Sequence, residues 1–189
     1  MEQVMNHYLV FAENQVLETE RLILRPLSLA DAEDMYEYAS DEMTTEFVFP
    51  THQTLQETKE IIASVFMADP FGKFAIEDKE THKMIGTIDL RVNMKAGTAE
   101  IGYTLNRHYW GKGLMPEAAK MLLMLGFDQL KLIRIIAVHD LKNPKSGRVM
   151  EKIGMTKEST VYEARKIHGV VSDIVTYGIT HSQWQAHKA

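Results

Sequence analysis

Ala99-Glu-Ile-Gly-Tyr-Thr-Leu-Asn-Arg-His-Tyr-Trp-Gly-Lys-Gly-Leu-Met-Pro-Glu-Ala-Ala-Lys-Met121 is the stretch on which the fold turns. It opens as a half-alternating apolar strand and passes an aromatic pair at Tyr109-Trp110. It then turns at Gly111-Lys112-Gly113 and runs on as an amphipathic helix. Glycine accepts positive φ and lets a ligand come close to the main chain. A helix beginning near Met115-Pro116 offers unpaired amides and the positive end of its dipole, which suit a phosphate or diphosphate. Pro116 fits the first turn of such a helix. The bend is not a nucleoside-triphosphate loop, because no Gly-Lys-Ser/Thr closes a four-residue gap. It is not the dinucleotide fingerprint either, because the third glycine is missing.

Downstream, the helix extends to about Gln129, with Leu114, Ala118, Met121, Leu122 and Leu125 on one apolar face. The β-rich run from Leu132 to His139 follows, and strand, crossover helix, strand implies a parallel pair. Asn143 and Pro144 start another helix and Gly154 stops it. Ser146 shares a face there with Val149, Met150 and Ile153, so it points inward. Ser159 to Ile167 and Val170 to Thr180 form a terminal hairpin around His168-Gly169.

Upstream, Arg21 to Pro26 reads as a first strand. Ser28 caps a helix with Asp31 three residues on, and Leu29, Ala32, Met35 and Tyr36 follow at helical spacing. A second helix spans Thr54 to Met67. Three strands then form an antiparallel meander: Lys73 to Glu77, Lys83 to Val92 and Thr98 to Leu105, parted by turn residues. In the last of these, Glu100, Gly102 and Thr104 share one face, and Ile101, Tyr103 and Leu105 the other. Tyr8-Leu-Val-Phe is either a short strand or a docking segment. Without linkers or repeats, the chain reads as one domain over residues 17–182, after an extension of residues 1–16 and before a tail of residues 183–189.

The 189 residues are 45% apolar and 25% charged, with a formal charge of -5. That composition supports one domain with a real core and no basic field for nucleic acid. The absence of cysteine excludes disulfides, a thiolate nucleophile and Cys-ligated metals. His139, His108 and His168 lack metal-ligand spacing, so no metal is expected. No apolar run is long enough to span a membrane, and the first residues lack the basic region of a signal peptide, so the cytoplasm is the expected compartment.

Ala99-Glu-Ile-Gly-Tyr, Tyr109-Trp-Gly-Lys-Gly, Pro116-Glu-Ala, Asn143-Pro-Lys-Ser and Glu151-Lys-Ile-Gly-Met together resemble the GCN5-related N-acetyltransferases (GNAT). More narrowly they resemble the branch with the ribosomal-protein N-terminal acetyltransferases RimJ and RimL. The likeness runs from about Leu17 to Ile179. It implies a mixed α/β GNAT fold: a twisted, mostly antiparallel sheet of about seven strands, with a central splayed parallel pair and flanking helices. It also implies an acetyl-CoA-dependent N-acetyltransferase. The acceptor is a primary amine, on a small molecule or a protein N-terminus, and members are often dimers. With no cysteine to carry the acyl group, direct transfer in a ternary complex is the simplest route. The alternative is a module that binds acyl-CoA with little or no turnover.

By the same resemblance, main-chain groups of Trp110, Gly111, Lys112, Gly113, Leu114 and Met115 hold the CoA diphosphate. His108 replaces the family's Gln or Arg three residues before the first glycine, which matters little to a cradle built from backbone. Ser146 corresponds to a serine near the CoA sulfur, where it would donate to the departing thiolate. Other branches use a tyrosine at the position of Met150, which cannot donate. Asn143 is expected to cap its helix and to contact the cofactor. Glu100 is the leading general base, as a buried carboxylate with a raised pKa. RimL-type enzymes use a hairpin glutamate instead, but that position is Arg165 here, and a water chain is the remaining option. The oxyanion donor is a backbone N–H near Leu105 or Tyr103. Lys112 and Arg107 are placed to reach phosphates, and Asp173 matches a last-strand Asp.

Overall fold

In the computed structural model, which describes residues 6–167 and 169–188, the decisive stretch folds as read. Strand β5 (Thr98–Leu105) leads through a short turn at Arg107–Tyr109 to helix α5 (Leu114–Met124). Around it run β1 (Leu17–Glu18), β2 (Leu22–Arg25), β3 (Lys73–Asp78), β4 (Met84–Asn93), β6 (Arg134–Asp140), β7 (Thr156–Ile167) and β8 (Val170–Thr180). The helices besides α5 are α1 (His7–Glu13), α2 (Ala32–Ala39), α3 (Glu42–Thr45), α4 (Leu55–Ile61), α6 (Pro144–Lys152) and α7 (His181–Lys188). No helix among the described residues is long and apolar enough to cross a membrane.

One eight-stranded sheet has the order β1-β2-β3-β4-β5-β6-β8-β7. The strand beyond the expected seven is β1, whose two residues are too short to show alternation. Every pairing is antiparallel except β5 with β6. That parallel pairing runs only from Thr98↔Arg134 to Ile101↔Ala137. Beyond it, β5 stays with β4 up to Gly86↔Leu105, while β6 stays with β8 up to Asp140↔Ile174. The sheet therefore forks at its centre.

Each face buries its own core. On the α5 and α6 side, Leu90, Ile101, Leu122, Phe127 and Ile135 belong to the larger cluster. On the α2 and α4 side, Met35, Tyr38, Ile62, Ala75 and Met84 form the smaller one. Helix starts follow their caps. The Ser28 amide donates to the Asp31 carboxylate at 2.8 Å around the 3-10 turn Leu29–Asp31 that leads into α2, and Thr54 Oγ1 accepts from the Glu57 amide at 3.1 Å at the start of α4. Gly154, at φ 89°, ends α6.

Two helices finish in wider turns. The Ala68 amide reaches the Ala63 carbonyl and the Leu130 amide reaches Leu125, each five residues back. The expected helical stretches to Met67 and Gln129 thus end as π turns at Ile62–Met67 and Leu125–Gln129. Tyr8-Leu-Val-Phe is helical, and Phe11 is buried in the larger core. Trp184 joins that core from α7, stacked on Phe127 at 5.8 Å. Phe11 and Trp184 therefore anchor helices α1 and α7 to the domain. His168 of the expected hairpin turn, residues 1–5 of the extension and Ala189 of the tail lie outside the described residues.

At Gly86 the β4 and β5 main chains meet closely. A Cβ there would stand 2.3 Å from the Thr104 carbonyl oxygen and 3.0 Å from Leu105 Cα, both backbone atoms. Gly86→Ala is expected to push the strands apart and cost about 2 kcal/mol, measured by urea denaturation.

Candidate functional site

Gly111 and Gly113 both take φ 78°, the left-handed region that a side chain strains. A Cβ at Gly111 would meet nothing within 4 Å, so the bend faces open space. Gly113 caps α5, and its carbonyl accepts the Glu117 amide at 3.2 Å. The amides of Leu114 and Met115 therefore have no partner within the helix, and Pro116 has none to offer. The side chains of Leu114 and Met115 are buried in the larger core, and both residues line the cavity. Trp110 Nε1 donates to the Leu105 carbonyl at 2.8 Å, which fixes the indole beside the bend.

Arg21 locks the bend from outside. Its Nη1 donates to the Lys112 carbonyl at 3.0 Å, and its Nε donates to Glu117 Oε2 at 2.7 Å. Glu117 Oε1 accepts from the Arg21 amide at 2.9 Å and from Thr19 Oγ1 at 2.6 Å. Burial pushes the Glu117 carboxyl up. Hydrogen bonds from Thr19 and Arg21, with the guanidinium charge, outweigh it and hold the carboxyl below its ordinary value. A trans peptide sends its C=O and N–H opposite ways. With the Lys112 carbonyl turned out to Arg21, the Gly113 amide is turned in. The Lys112 side chain lies over the Tyr109 ring at 4.9 Å, and Arg107 is paired with Asp41 at 2.9 Å.

Ser146 points inward, as its helical spacing requires. Its Oγ donates to Tyr103 Oη at 3.0 Å, and Tyr103 Oη donates to the Ser146 carbonyl at 2.9 Å. Burial raises the Tyr103 hydroxyl well above the ordinary tyrosine value, so it stays protonated. Asn143 Oδ1 accepts the Ser146 amide at 3.4 Å, which makes it the helix cap. The Asn106 amide donates to the Ile85 carbonyl of the β4 segment. Alternation along a strand then directs the Tyr103 and Leu105 amides to the opposite edge, into the fork.

A cavity of about 1490 Å³ runs through the fork and is lined from both faces of the sheet. On one side lie Trp110, Gly111, Gly113, Asn143 and Ser146; on the other, Thr87, Asp89, Arg91, Glu100 and Thr104. Lys145, Arg148 and Lys152 line it from α6, with Arg165 from β7. Lys145 also sits over the Trp110 ring at 4.3 Å. An amide-lined bend beside a basic wall has the chemistry to hold a polyanion.

Glu100 is not the buried carboxylate expected of it. Its side chain is 36% exposed and pairs with Arg91 Nη2 at 2.8 Å, because β4 places Arg91 directly across from it. Asp89 lies on the same face, with its side chain 26% exposed. Burial pushes its carboxyl up to about 6 against the opposing charge of Arg91. Sequence reading missed Asp89, although Thr87-Ile-Asp-Leu-Arg alternates and puts Asp89 and Arg91 on one face. It also missed Lys145, Arg148 and Lys152, which share a helix face by spacing. Asp173 has a local task, since its Oδ1 accepts the Glu163 amide at 2.8 Å where Glu163 takes φ 50°.

Residues 21–156 match the family model described as "Acetyltransferase (GNAT) domain". An uncharacterized N-acetyltransferase, p20, of Bacillus licheniformis is 30% identical over 175 residues, covering 90% of this chain and 98% of that protein. Spermidine N(1)-acetyltransferase of Escherichia coli K12 is 23% identical over 168 residues, covering 87% and 89%. The crystal structure of a GNAT-family acetyltransferase from Bacillus anthracis superposes with a TM-score of 0.80 at 29% identity, covering 88% of this chain and 99% of that one.

The Arg21–Glu117 clamp carries a pH signature. A carboxyl held low stabilises the fold above its ordinary value of 4.5, and that stability is lost as pH falls through the folded value. Glu117→Gln is expected to lower the urea midpoint at about pH 7, with the gap to wild type narrowing as the pH is taken below the ordinary carboxyl value.

Proposed function

The chain belongs to the GNAT acetyltransferase family, whose activity is acetyl-CoA-dependent acyl transfer, and we propose that it acetylates a primary amine by direct transfer in a ternary complex. One observation carries this reading: a single cavity crosses the sheet at the fork, with an anion cradle on one side and carboxylates on the other. Two substrates entering from opposite faces meet there. The chain has no cysteine to take the acyl group first.

Acetyl-CoA supplies a thioester, whose acyl carbon is already activated toward an amine. The amides of Gly111, Gly113, Leu114 and Met115 hold its diphosphate, with Trp110 and Lys112 flanking them. Lys145, Arg148 and Lys152 offset the remaining phosphate charge. Leu105 and Tyr103 direct their amides into the fork, where an oxyanion develops. Asn143 sets the start of α6 and so the position of Ser146. Ser146 turns its hydroxyl proton from Tyr103 toward the departing sulfur. A carboxylate of the opposite face, where Asp89 and Glu100 both line the cavity, receives the amine proton.

For the acceptor, two classes fit: a small amine, as the name of the Escherichia coli relative indicates for that protein, or a protein N-terminus, as in the RimJ/RimL branch. The motifs around Trp110 and Ser146 favour that branch, and Arg165 in place of a hairpin glutamate separates this chain from RimL-type specificity.

An acceptor screen read by CoA thiol release tests the function, with spermidine, amino acids and alanine- or serine-initiating peptides as amines. Binding of acetyl-CoA without release by any of them would favour a binding module. Ser146→Ala is expected to lower kcat about 100-fold while acetyl-CoA affinity stays within about twofold by calorimetry. Equal turnover would remove its role. Gly113→Val strains the bend by about 1–2 kcal/mol and is expected to abolish acetyl-CoA binding. Unchanged affinity would contradict the cradle.

A further inference from the structure

At the fork, the two carboxylates of the acceptor face are not equivalent. Asp89 stands opposite Gly102 on β5. Gly102 is the first residue beyond Ile101↔Ala137, the last parallel pair, so Asp89 lies level with the vertex. Glu100 is set back on the same face, paired in register with Ile136 where the strands are still joined. Both line the cavity, Asp89 level with the vertex and Glu100 two residues back from it along β5.

Gly102 makes the room. A Cβ there would stand 2.6 Å from Arg91 Nη1 and 3.0 Å from Asp89 Oδ1. In its absence Arg91 lies across β5 and joins both carboxylates, Asp89 through Nη1 and Glu100 through Nη2. Two carboxylates share one guanidinium, so this face keeps a surplus negative charge, which favours an ammonium approaching from the α2 and α4 side. The charged groups acting on Asp89 are Arg91 on its own strand, Glu100 on β5 and Lys73 on β3. Lys73 is already engaged with Asp69 and the Val65 carbonyl, each at 2.9 Å. Burial dominates and puts the Asp89 carboxyl at about 6, ionised at neutral pH yet more basic than an ordinary aspartate.

We propose that Asp89 accepts the proton of the acceptor amine, with Arg91 as the positioning residue that holds it at the vertex. The assignment rests on the acetyl-transfer reading above. One proton passes from the ammonium nitrogen to an Asp89 oxygen. The freed lone pair forms the C–N bond to the acetyl carbon as the C–S bond breaks, and that electron pair stays on sulfur. A second nitrogen proton is lost and sulfur is protonated, through Ser146. Asp89 returns its proton to water. The balance is ammonium plus thioester giving amide, free thiol and one proton.

The test compares wild type with Asp89→Asn, Asp89→Glu, Glu100→Gln and Gly102→Ala, using acetyl-CoA with spermidine or an alanine-initiating peptide. Asp89→Asn is expected to lower kcat about 100-fold or more, keep acetyl-CoA affinity within about twofold, and lose the acid limb of kcat/KM near pH 6. Asp89→Glu restores part of the rate, and Glu100→Gln keeps the limb. Gly102→Ala, which retains every charge but displaces Arg91 and Asp89, slows turnover. In ligand-free protein carrying 13C at its aspartate carboxyls, one resonance titrates at about pH 6 and is missing from Asp89→Asn. A carboxyl held high by burial destabilises the ionised fold, so Asp89→Asn melts no lower than wild type at about pH 8.

An acid limb that survives Asp89→Asn overturns the assignment, as does the lack of any aspartate titrating near that pH. A rate loss accompanied by a lower Tm and weaker acetyl-CoA binding makes Asp89 structural. If wild type turns over neither amine, the acetyl-transfer reading falls with it. If wild type turns over and Asp89→Asn keeps pace, Asp89 alone is displaced.

Discussion

The parting of β5 from β6 after Ile101↔Ala137 is the constraint from which the rest follows. Strand edges that separate leave amides and carbonyls without ladder partners, and such groups need water, side chains or a ligand. Tyr103 keeps the gap filled on one side. Its hydroxyl is tied twice to Ser146, once to the main chain and once to Oγ, so the start of α6 is anchored to β5 across the opening. A helix pinned this way cannot follow β6 back toward β5 without breaking those bonds. The same wedge brings the Ser146 hydroxyl to the cavity and lets the cavity pass through the sheet.

Around that opening, backbone conformation and charge are divided between the two faces. On the α5 side, two glycines in the left-handed region bend the chain, and Arg21 secures the Lys112 carbonyl from behind. The bend's orientation is thus set by a residue 91 positions away in sequence, not by the glycines alone. Basic side chains of α6 line the cavity beside it. On the α2 side, two carboxylates share one guanidinium. A polyanion on one side and an ammonium on the other would each meet complementary charge, and both would approach the same vertex. Membership of the GNAT family places acetyl transfer from acetyl-CoA in this frame.

Much of the frame could be read directly from residue order. The alternation from Thr98 to Leu105, the glycine bend, the apolar face of α5 and the β-branched run after Leu132 are local patterns, and local patterns specify strand, turn, helix and strand. The Asn143-Pro144 start and the Gly154 stop placed α6, and spacing alone sent Ser146 inward. What escaped notice depended on partners distant in sequence. Helix α1 was ambiguous as a short apolar run, and only the burial of Phe11 in the main core explains its place. The family likeness implies a buried carboxylate at Glu100, but β4 brings Arg91 alongside it and leaves it partly open to solvent.

Residue order by itself determined that this chain has a parallel crossover unit with an amide-rich bend at the start of its central helix. Periodicity and the conformational needs of glycine and proline act over a few residues, and no partner is required to express them. The register of β4 against β5 is a different matter. It sets Asp89 opposite Gly102 and level with the vertex, and burial there raises its carboxyl. Desolvation and charge pairing depend on which side chains the folded sheet brings together, so only the tertiary structure decided which carboxylate lies level with the vertex.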